Sequence, residues 1–121
     1  VNFYAPDSGP AQFADRTFYK HNANVTLMRT TAAENVAIGA DIARKLSAAT
    51  GPVSVLLPLR GVSAIDKEGQ PFDDPAARRA LHDAITSGMP GADVTELDLH
   101  INDPEFADAA ARTLLELMKP S

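Results

Sequence analysis

Apolar residues along the chain occur in two patterns, short runs and longer stripes with helical spacing. Three apolar runs, at 25–28, 53–57 and 94–101, have the length and the β-branched content of strands, and a further candidate strand lies at 17–21. Each of the three runs precedes a segment whose apolar residues recur every three or four positions, which indicates a helix. This order predicts an α/β domain, a three-layer Rossmann-like sandwich with a mainly parallel sheet in β-α-β-α-β-α order.

Capping residues mark where the helices begin. Thr31 and Glu34 have the spacing of a capping box, so a helix is expected to start at Ala32. Asp74–Pro75 and Asp103–Pro104 each place a cap before a proline at the first helical position. We therefore expect three helices with inward apolar faces. These faces are Ile38, Ile42, Ala43 and Leu46 in the first helix, Ala77, Leu81 and Ile85 in the second, and Phe106, Ala110, Leu114 and Leu117 in the third.

The run at 94–101 differs from the other two because its two faces are unlike each other. A strand with one apolar and one polar face is typical of a position at or near the edge of a sheet. The predicted apolar face is Thr95, Leu97, Leu99 and Ile101, and the predicted polar face is Val94, Glu96, Asp98 and His100.

All three strands lead into polar residues at their carboxyl ends. In an open parallel sheet these ends share one edge, and ligands bind in the crevice outside it. We therefore expect any ligand at this edge. The candidate binding residues are Arg29, Thr30, Thr31, Arg60, Gly61, Ser63, His100 and Asn102.

The chemistry of these residues suits an anion. Arg29, Thr30 and Thr31 precede a helix, where free backbone N–H groups and the helix dipole favour negative charge. Arg60 offers a forked donor, and Gly61 permits a left-handed turn or a close approach of backbone and ligand. The alternative is that Thr31 only caps its helix, that Arg29 pairs with a surface acid, and that Arg60 is a solvated arginine beside a glycine turn.

The histidines and serines add little specific chemistry. His100 is either an acid, base or ligand contact, or a polar residue with a structural partner. His21 is isolated, and His82 lies among charges on a helix, so we expect it to be solvated. We predict no metal site, because no histidine has a second ligand at a suitable spacing. No glycine-rich phosphate motif is present, and no nucleophile elbow surrounds Ser54 or Ser63, so a complete nucleotide site is not visible.

Composition narrows the class of protein. The 121 residues suit one domain over 1–121, in which 1–17 form an extended arm, and we expect a piece of a longer chain. The net charge of −5 argues against nucleic acid as a partner. The lack of cysteine excludes disulfides and thiolate catalysis and fits a reducing cytoplasm. No apolar run approaches the ~20 residues that cross a bilayer, so we expect a cytoplasmic protein with no membrane partner.

Several longer stretches resemble a known family. They are Val1–Phe3, His21–Asn22, Val25–Thr31, Leu56–Ser63, Gln70–Pro75 and His100–Phe106. In these stretches the chain is similar to the C-terminal part of the uncharacterised proteins grouped with the tomato mosaic virus resistance protein as its ATP-binding domain family. The resemblance implies the last part of a larger protein with two Rossmann-like domains. It also implies ATP as a ligand of the full-length protein, and the plant relative implies direct contact with a viral replication protein.

Three functions remain open at this point. The first is a ligand-binding α/β domain that shares a site for a nucleotide (ATP) or another anionic small molecule with the upstream domain of the same polypeptide. The second is a domain of an enzyme that acts on a small oxo-acid or acyl substrate, with Arg60 holding a carboxylate and His100 as acid or base. The third is a protein-interaction module without a small ligand. Exposed aromatic residues of the arm could also drive association into a homo-oligomer.

Overall fold

A computed structural model of the protein describes residues 2–3 and 11–119. Five strands and three α-helices occur in these residues, and the predicted helix starts are confirmed. Part of the predicted arm is regular, with a strand and a 3₁₀ helix, and residues 1 and 4–10 of the arm lie outside the described residues. The strands are β1 (Asn2–Phe3), β2 (Phe18–Asn22), β3 (Val25–Met28), β4 (Ser54–Pro58) and β5 (Asp93–Leu97); the helices are α1 (Ala32–Ser47), α2 (Pro75–Gly88) and α3 (Pro104–Leu117), and the 3₁₀ helix is Ala11–Phe13.

The described strands form two sheets rather than one. β3 lies between β1 and β2 and is antiparallel to both, whereas β4 and β5 pair in parallel, with α2 as the crossover between them. The α/β class is confirmed, as is the alternation of strand and helix from β3 onward. The expectation that all three polar-ended strands share one parallel sheet is wrong for β3.

A tight turn explains why β3 belongs to the antiparallel sheet. Two residues separate β2 from β3, and the side chain of Asn22 accepts a hydrogen bond from the backbone N–H of Asn24 at 2.9 Å. So short a connection joins antiparallel neighbours, because a parallel crossover needs a dozen or more residues. The pairing partner of β3 is therefore decided by the turn before it.

Helices α1 and α2 pack at very short range through glycines. A Cβ atom on Gly39 of α1 would lie 2.7 Å from the Cβ of Ala84 and 2.8 Å from the carbonyl oxygen of Leu81, both in α2. In the other direction, a Cβ on Gly88 of α2 would lie 2.5 Å from the Cβ of Ala43. The distance between the two helices is thus set by residues that lack a side chain.

The core lies between this helix pair and the parallel strands. Alternate residues of a strand share a face, and in β4 and the residue before it the odd-numbered ones point to the helices. The centre of the core is Ala43, Leu57, Ile85 and Met89, and around it pack Leu46, Val53, Val55, Leu81 and Val94.

The buried face of α1 is not the predicted apolar stripe. Asn35 and Gly39 are buried, whereas Ile38 and Ile42 are exposed. Asn35 is accommodated because its side-chain amide donates to the backbone carbonyl of Ala77 at 2.7 Å. The prediction counted apolar side chains, but a close helix contact selects small residues and one satisfied amide.

The remaining faces agree with the predictions in part. Ala77 and Ile85 are buried in α2 as predicted, but α3 buries no residue and its predicted inward residue Leu114 is exposed. Val94, assigned to the polar face of its strand, packs on the core.

Among the described strands β5 pairs with β4 alone, so its edge position is confirmed. In this part of the chain no helix has the length and apolar character needed to cross a membrane.

The helix contact predicts the effect of adding one methyl group. Gly39→Ala should lower the free energy of unfolding by about 1–3 kcal/mol, since overpacking outweighs the better helix propensity of alanine. Gly51→Ala is the control, because a Cβ there meets no atom within 4 Å. Urea unfolding followed by circular dichroism measures both; equal stability of the two variants would contradict the close packing.

Candidate functional site

Strands β4 and β5 end side by side, and the segments after them enclose an open cleft. The backbone N–H of Leu59 donates to the carbonyl of Leu97 at 2.9 Å, and that of Arg60 donates to Leu99 at 3.0 Å, which extends the pairing beyond both strands. The cleft has a volume of about 500 Å³ and is lined by Leu59, Arg60, Lys67, Glu68, Arg78, His100 and Asp103.

Gly61 allows the loop after β4 to fold back over the strand end. Its φ of 138° favours glycine, and a Cβ there would lie 1.8 Å from the carbonyl oxygen of Asp66 and 2.8 Å from Cδ2 of His100. Its own carbonyl accepts a hydrogen bond from the N–H of Ile101 at 3.0 Å. The close approach expected at Gly61 is present, and it is made by the loop and by His100.

Asp66 is the centre of a buried ion-pair cluster beside the cleft. The carboxylate is 2% exposed and accepts hydrogen bonds from Arg78 at 2.6 Å and from Arg29 at 3.2 Å, while Arg78 also donates to Asp73 at 2.9 Å. Arg29 follows β3 and Arg78 lies on α2, so the cluster connects the antiparallel sheet to the helix layer of the parallel one. Arg29 thus has an acidic partner, as the alternative interpretation expects, but that partner is buried.

The charges in this cluster compensate one another. Burial acts to lower the pKa of Arg78, but the hydrogen bonds that Arg78 donates to Asp66 and Asp73, together with the negative charges of these carboxylates, outweigh burial, and the pKa is raised. The guanidinium group therefore remains charged in the folded protein. Two arginines face two carboxylates here, so neither Arg29 nor Arg78 carries uncompensated charge.

His100 uses both ring nitrogens within the protein. Its Nδ1 accepts the backbone N–H of Asn102 at 3.0 Å, which assigns the proton to Nε2, and Nε2 donates to the carbonyl of Ser63 at 2.7 Å. The N–H of His100 donates to the Asp103 carboxylate at 2.8 Å, and Asp103, at the N-cap of α3, makes no side-chain capping bond. His100 thereby fixes the loop after β4 to the segment after β5.

Arg60 lies at the cleft opening and is well exposed. It donates to Asp98 at 2.8 Å through Nε and at 3.1 Å through Nη2. The hydrogen bond from Arg60, followed by its positive charge, lowers the pKa of Asp98. Arg60 is thus anchored at the rim and can exchange an exposed carboxylate for a ligand.

Thr30 and Thr31 are not among the residues that line the cleft. Thr31 accepts the N–H of Glu34 at 3.1 Å, and the Glu34 carboxylate accepts the N–H of Thr31 at 3.0 Å, so the predicted capping box is confirmed. The backbone hydrogen bond from Thr31 is the main reason that the pKa of Glu34 is lowered. Of the candidate residues, the structure therefore gathers Arg60, Gly61, Ser63, His100 and Asn102 around the loop after β4.

Sequence reasoning missed Arg78 and gave His82 the wrong environment. Residues 78, 82, 85 and 89 are spaced as one helical stripe, and all four are buried. His82 is therefore 2% exposed rather than solvated. This stripe is present in the sequence, but its first two members, Arg78 and His82, are polar. Polar residues on a helix normally indicate its solvent-exposed face, so the pattern predicts the wrong side for these two. Among the described residues no three histidine, aspartate or glutamate side chains are placed to hold a metal ion.

The fold and the cleft define the class of the chain as an α/β domain built on a parallel β-α-β unit with a polar cleft at its strand ends. Residues 1–118 match the C-terminal domain of the uncharacterised protein family UPF0261, and the chain belongs to this family.

Similar proteins occur in bacteria and in a plant. A UPF0261 protein of Rhizobium meliloti is 47% identical over 99% of this chain, and one of Clostridium tetani is 42% identical over 98%. The ToMV resistance protein Tm-1 of Solanum lycopersicum is 40% identical over the whole chain. The chain spans 31%, 30% and 16% of the lengths of these three proteins, so it corresponds to a minor part of each.

The buried cluster predicts a large difference between two carboxylate substitutions. Asp66→Asn should lower the free energy of unfolding by about 3–5 kcal/mol, because it leaves buried arginines without a counter-charge. Asp98→Asn removes the exposed partner of Arg60 and should change the stability little. Urea unfolding compares them at neutral pH; similar losses in both variants would contradict the role of burial.

His82 predicts a pH dependence of stability. Burial, followed by the charge of Arg79, lowers the pKa of His82 below the ordinary 6.5. The unfolded state therefore binds the proton first, so the stability present above pH 6.5 is lost as the pH falls towards the folded pKa. His82→Gln should reduce the loss of unfolding free energy between about pH 7.5 and 5.5.

The control for this pH dependence is His21→Gln, at an exposed position of β2. It should keep the wild-type dependence of the unfolding free energy on pH. Urea unfolding at several pH values gives the slope of the unfolding free energy against pH for each variant. If His82→Gln keeps the wild-type slope, a group other than His82 causes the pH dependence.

Proposed function

We propose that this chain is a ligand-binding domain that holds a small anionic molecule in the cleft at the ends of β4 and β5. The observation that carries the proposal is Lys67 in the lining of that cleft. Arg60 and Arg78 in the same lining are paired with carboxylates, whereas Lys67 has no ion-pair partner among the described residues. A cation without a counter-ion at the carboxyl ends of parallel strands is suited to bind an anion.

The acidic residues of the lining limit where an anion can bind. The Asp103 carboxylate already accepts the N–H of His100, and α3 begins directly after it. Glu68 adjoins Lys67 in sequence and adds a second negative charge. An anionic group therefore binds between Lys67 and Arg60, and the more neutral part of the ligand lies towards Leu59.

A nucleotide such as ATP is one ligand of this kind, and it is the one that the family resemblance implies. The cleft volume of about 500 Å³ falls within the usual range for small-molecule sites. The chain lacks a glycine-rich phosphate motif, so the site would be shared with the upstream domain of a longer protein. That protein would be cytoplasmic, and the β4–β5 pair would belong to a larger three-layer Rossmann-like sheet.

The geometry favours binding over catalysis as the function of this chain. A general acid or base needs a ring nitrogen that can reach the substrate. Both nitrogens of His100 are engaged, with the Ser63 carbonyl and the Asn102 N–H. His100 is therefore assigned a positioning role, in which it keeps the loop that carries Lys67 next to the strand ends.

The test is ligand binding by wild-type protein and by Lys67→Ala, using ATP, inorganic phosphate and citrate as probes. At least one anion should raise the melting temperature of the wild type, because a ligand that binds the native state stabilises it. Lys67→Ala should weaken binding by roughly tenfold to a hundredfold, as expected for loss of a charge-assisted hydrogen bond.

Lys45→Ala is the matched control, because Lys45 is an exposed lysine of α1 that pairs with Asp41. It should bind the same anion as tightly as the wild type in calorimetry. The proposal fails if no anion changes the melting temperature of the wild type, or if the two lysine variants lose affinity equally.

A further inference from the structure

Strand β4 has a hydrogen-bonded partner along one edge only. Among the described residues it pairs with β5 and with no other strand. Leu59 donates its N–H to β5's last residue, Leu97, and N–H groups alternate in direction along a strand, so those of Ser54 and Leu56 point to the opposite edge. Among the described residues that edge offers free backbone donors and acceptors, and an edge of this kind can pair with a further strand.

The helix that precedes β4 in the chain and a second helix that packs against β4 both carry uncovered apolar side chains. Helix α1 leads into β4 and exposes Ile38 and Ile42, which are one helical turn apart. Helix α3 packs against β4 and leaves an apolar group 57–69% exposed. Single exposed apolar residues are ordinary, but groups at helical spacing on two helices indicate a surface that a partner covers. The group on α3 is Leu114, Leu115 and Met118.

We infer that the free edge of β4 and the apolar faces of α1 and α3 form one docking surface, and that its occupant is the rest of the full-length polypeptide. The occupant supplies a strand that pairs with β4 and apolar side chains that cover both helices. The relatives favour this occupant, because the chain spans only 31% and 30% of the two bacterial proteins. The inference does not depend on the ligand, since the docking surface excludes every residue that lines the cleft.

The test compares one substitution in two contexts. Leu115→Glu is made in the 121-residue chain and in a full-length chimera, in which this chain replaces the matching segment of the Rhizobium meliloti relative. In the isolated chain Leu115 is already exposed, so the melting temperature should stay within about 2 °C of the wild type. In the chimera the substitution should lower it by roughly 5 °C or more, because a charge replaces a buried leucine.

Lys20→Glu is the control, because it places the same residue at an exposed position of β2, outside the docking surface. It should leave the melting temperature nearly unchanged in both contexts. Equal effects of Leu115→Glu in the isolated chain and in the chimera would overturn the inference.

Hydrogen exchange provides a second measurement that needs no substitution. The amide of Leu56 should exchange at least about a hundredfold more slowly in the chimera than in the isolated chain, because pairing protects it. If the chimera does not fold, the remaining part of the Rhizobium protein is added as a separate chain, and it should bind this chain and protect the same amide. Equal exchange with and without that part would overturn the inference.

The oligomeric state separates the proposed occupant from a second copy. Light scattering should find the isolated chain monomeric at micromolar concentration. A dimer that Leu115→Glu dissociates, with Leu56 protected in the dimer, would assign the surface to a second copy and overturn the inference.

Discussion

The carboxylate of Asp66 is the interaction on which the arrangement of this chain depends. It is the acceptor that Arg29, which follows β3, and Arg78 of α2 have in common, so in the described part of the chain one side chain links the antiparallel sheet to the helix layer of the parallel sheet. Buried charges are stable only when they are paired and hydrogen-bonded. Because Arg78 also lines the cleft, the ion-pair cluster fixes the shape of the candidate site as well as the fold.

Signals within a few residues of one another predicted where the helices begin. Contacts between residues far apart in the sequence decide which strands pair and which helix faces are buried, and these could not be predicted. The capping pair Thr31 and Glu34 and the Asp-Pro starts act within one helical turn, so they could be recognised directly. The partner of β3 and the buried face of α1 depend on distant residues: a glycine faces α2 at Gly39 where an apolar stripe was expected. For the cleft, strand-end reasoning found Arg60 and His100 but missed Lys67, since the path of a long loop has no periodic signal.

Charge and apolar surface lie on different parts of the described chain. The cleft and its ion-pair cluster surround the loop after β4, whereas the uncovered leucines and isoleucines lie on α1 and α3. The glycines between α1 and α2 bring the two helix backbones into close contact, so a side chain added at either glycine would displace its neighbours. Because the cleft and the exposed apolar residues do not overlap, the proposed ligand binding and the proposed docking can be altered separately by substitution.

The two sheets differ in how far apart in sequence their paired strands lie, and this difference predicts the order in which they form. The β2–β3 hairpin joins neighbours across a two-residue turn and can close within about 1–10 μs. The β4–β5 pair must wait until the long loop and α2 have closed, and such distant pairings form more slowly. During synthesis the hairpin and α1 leave the ribosome before α2, so nascent α1 emerges before the helix that will cover its glycine face. The last pairing to form is then the one that creates the cleft.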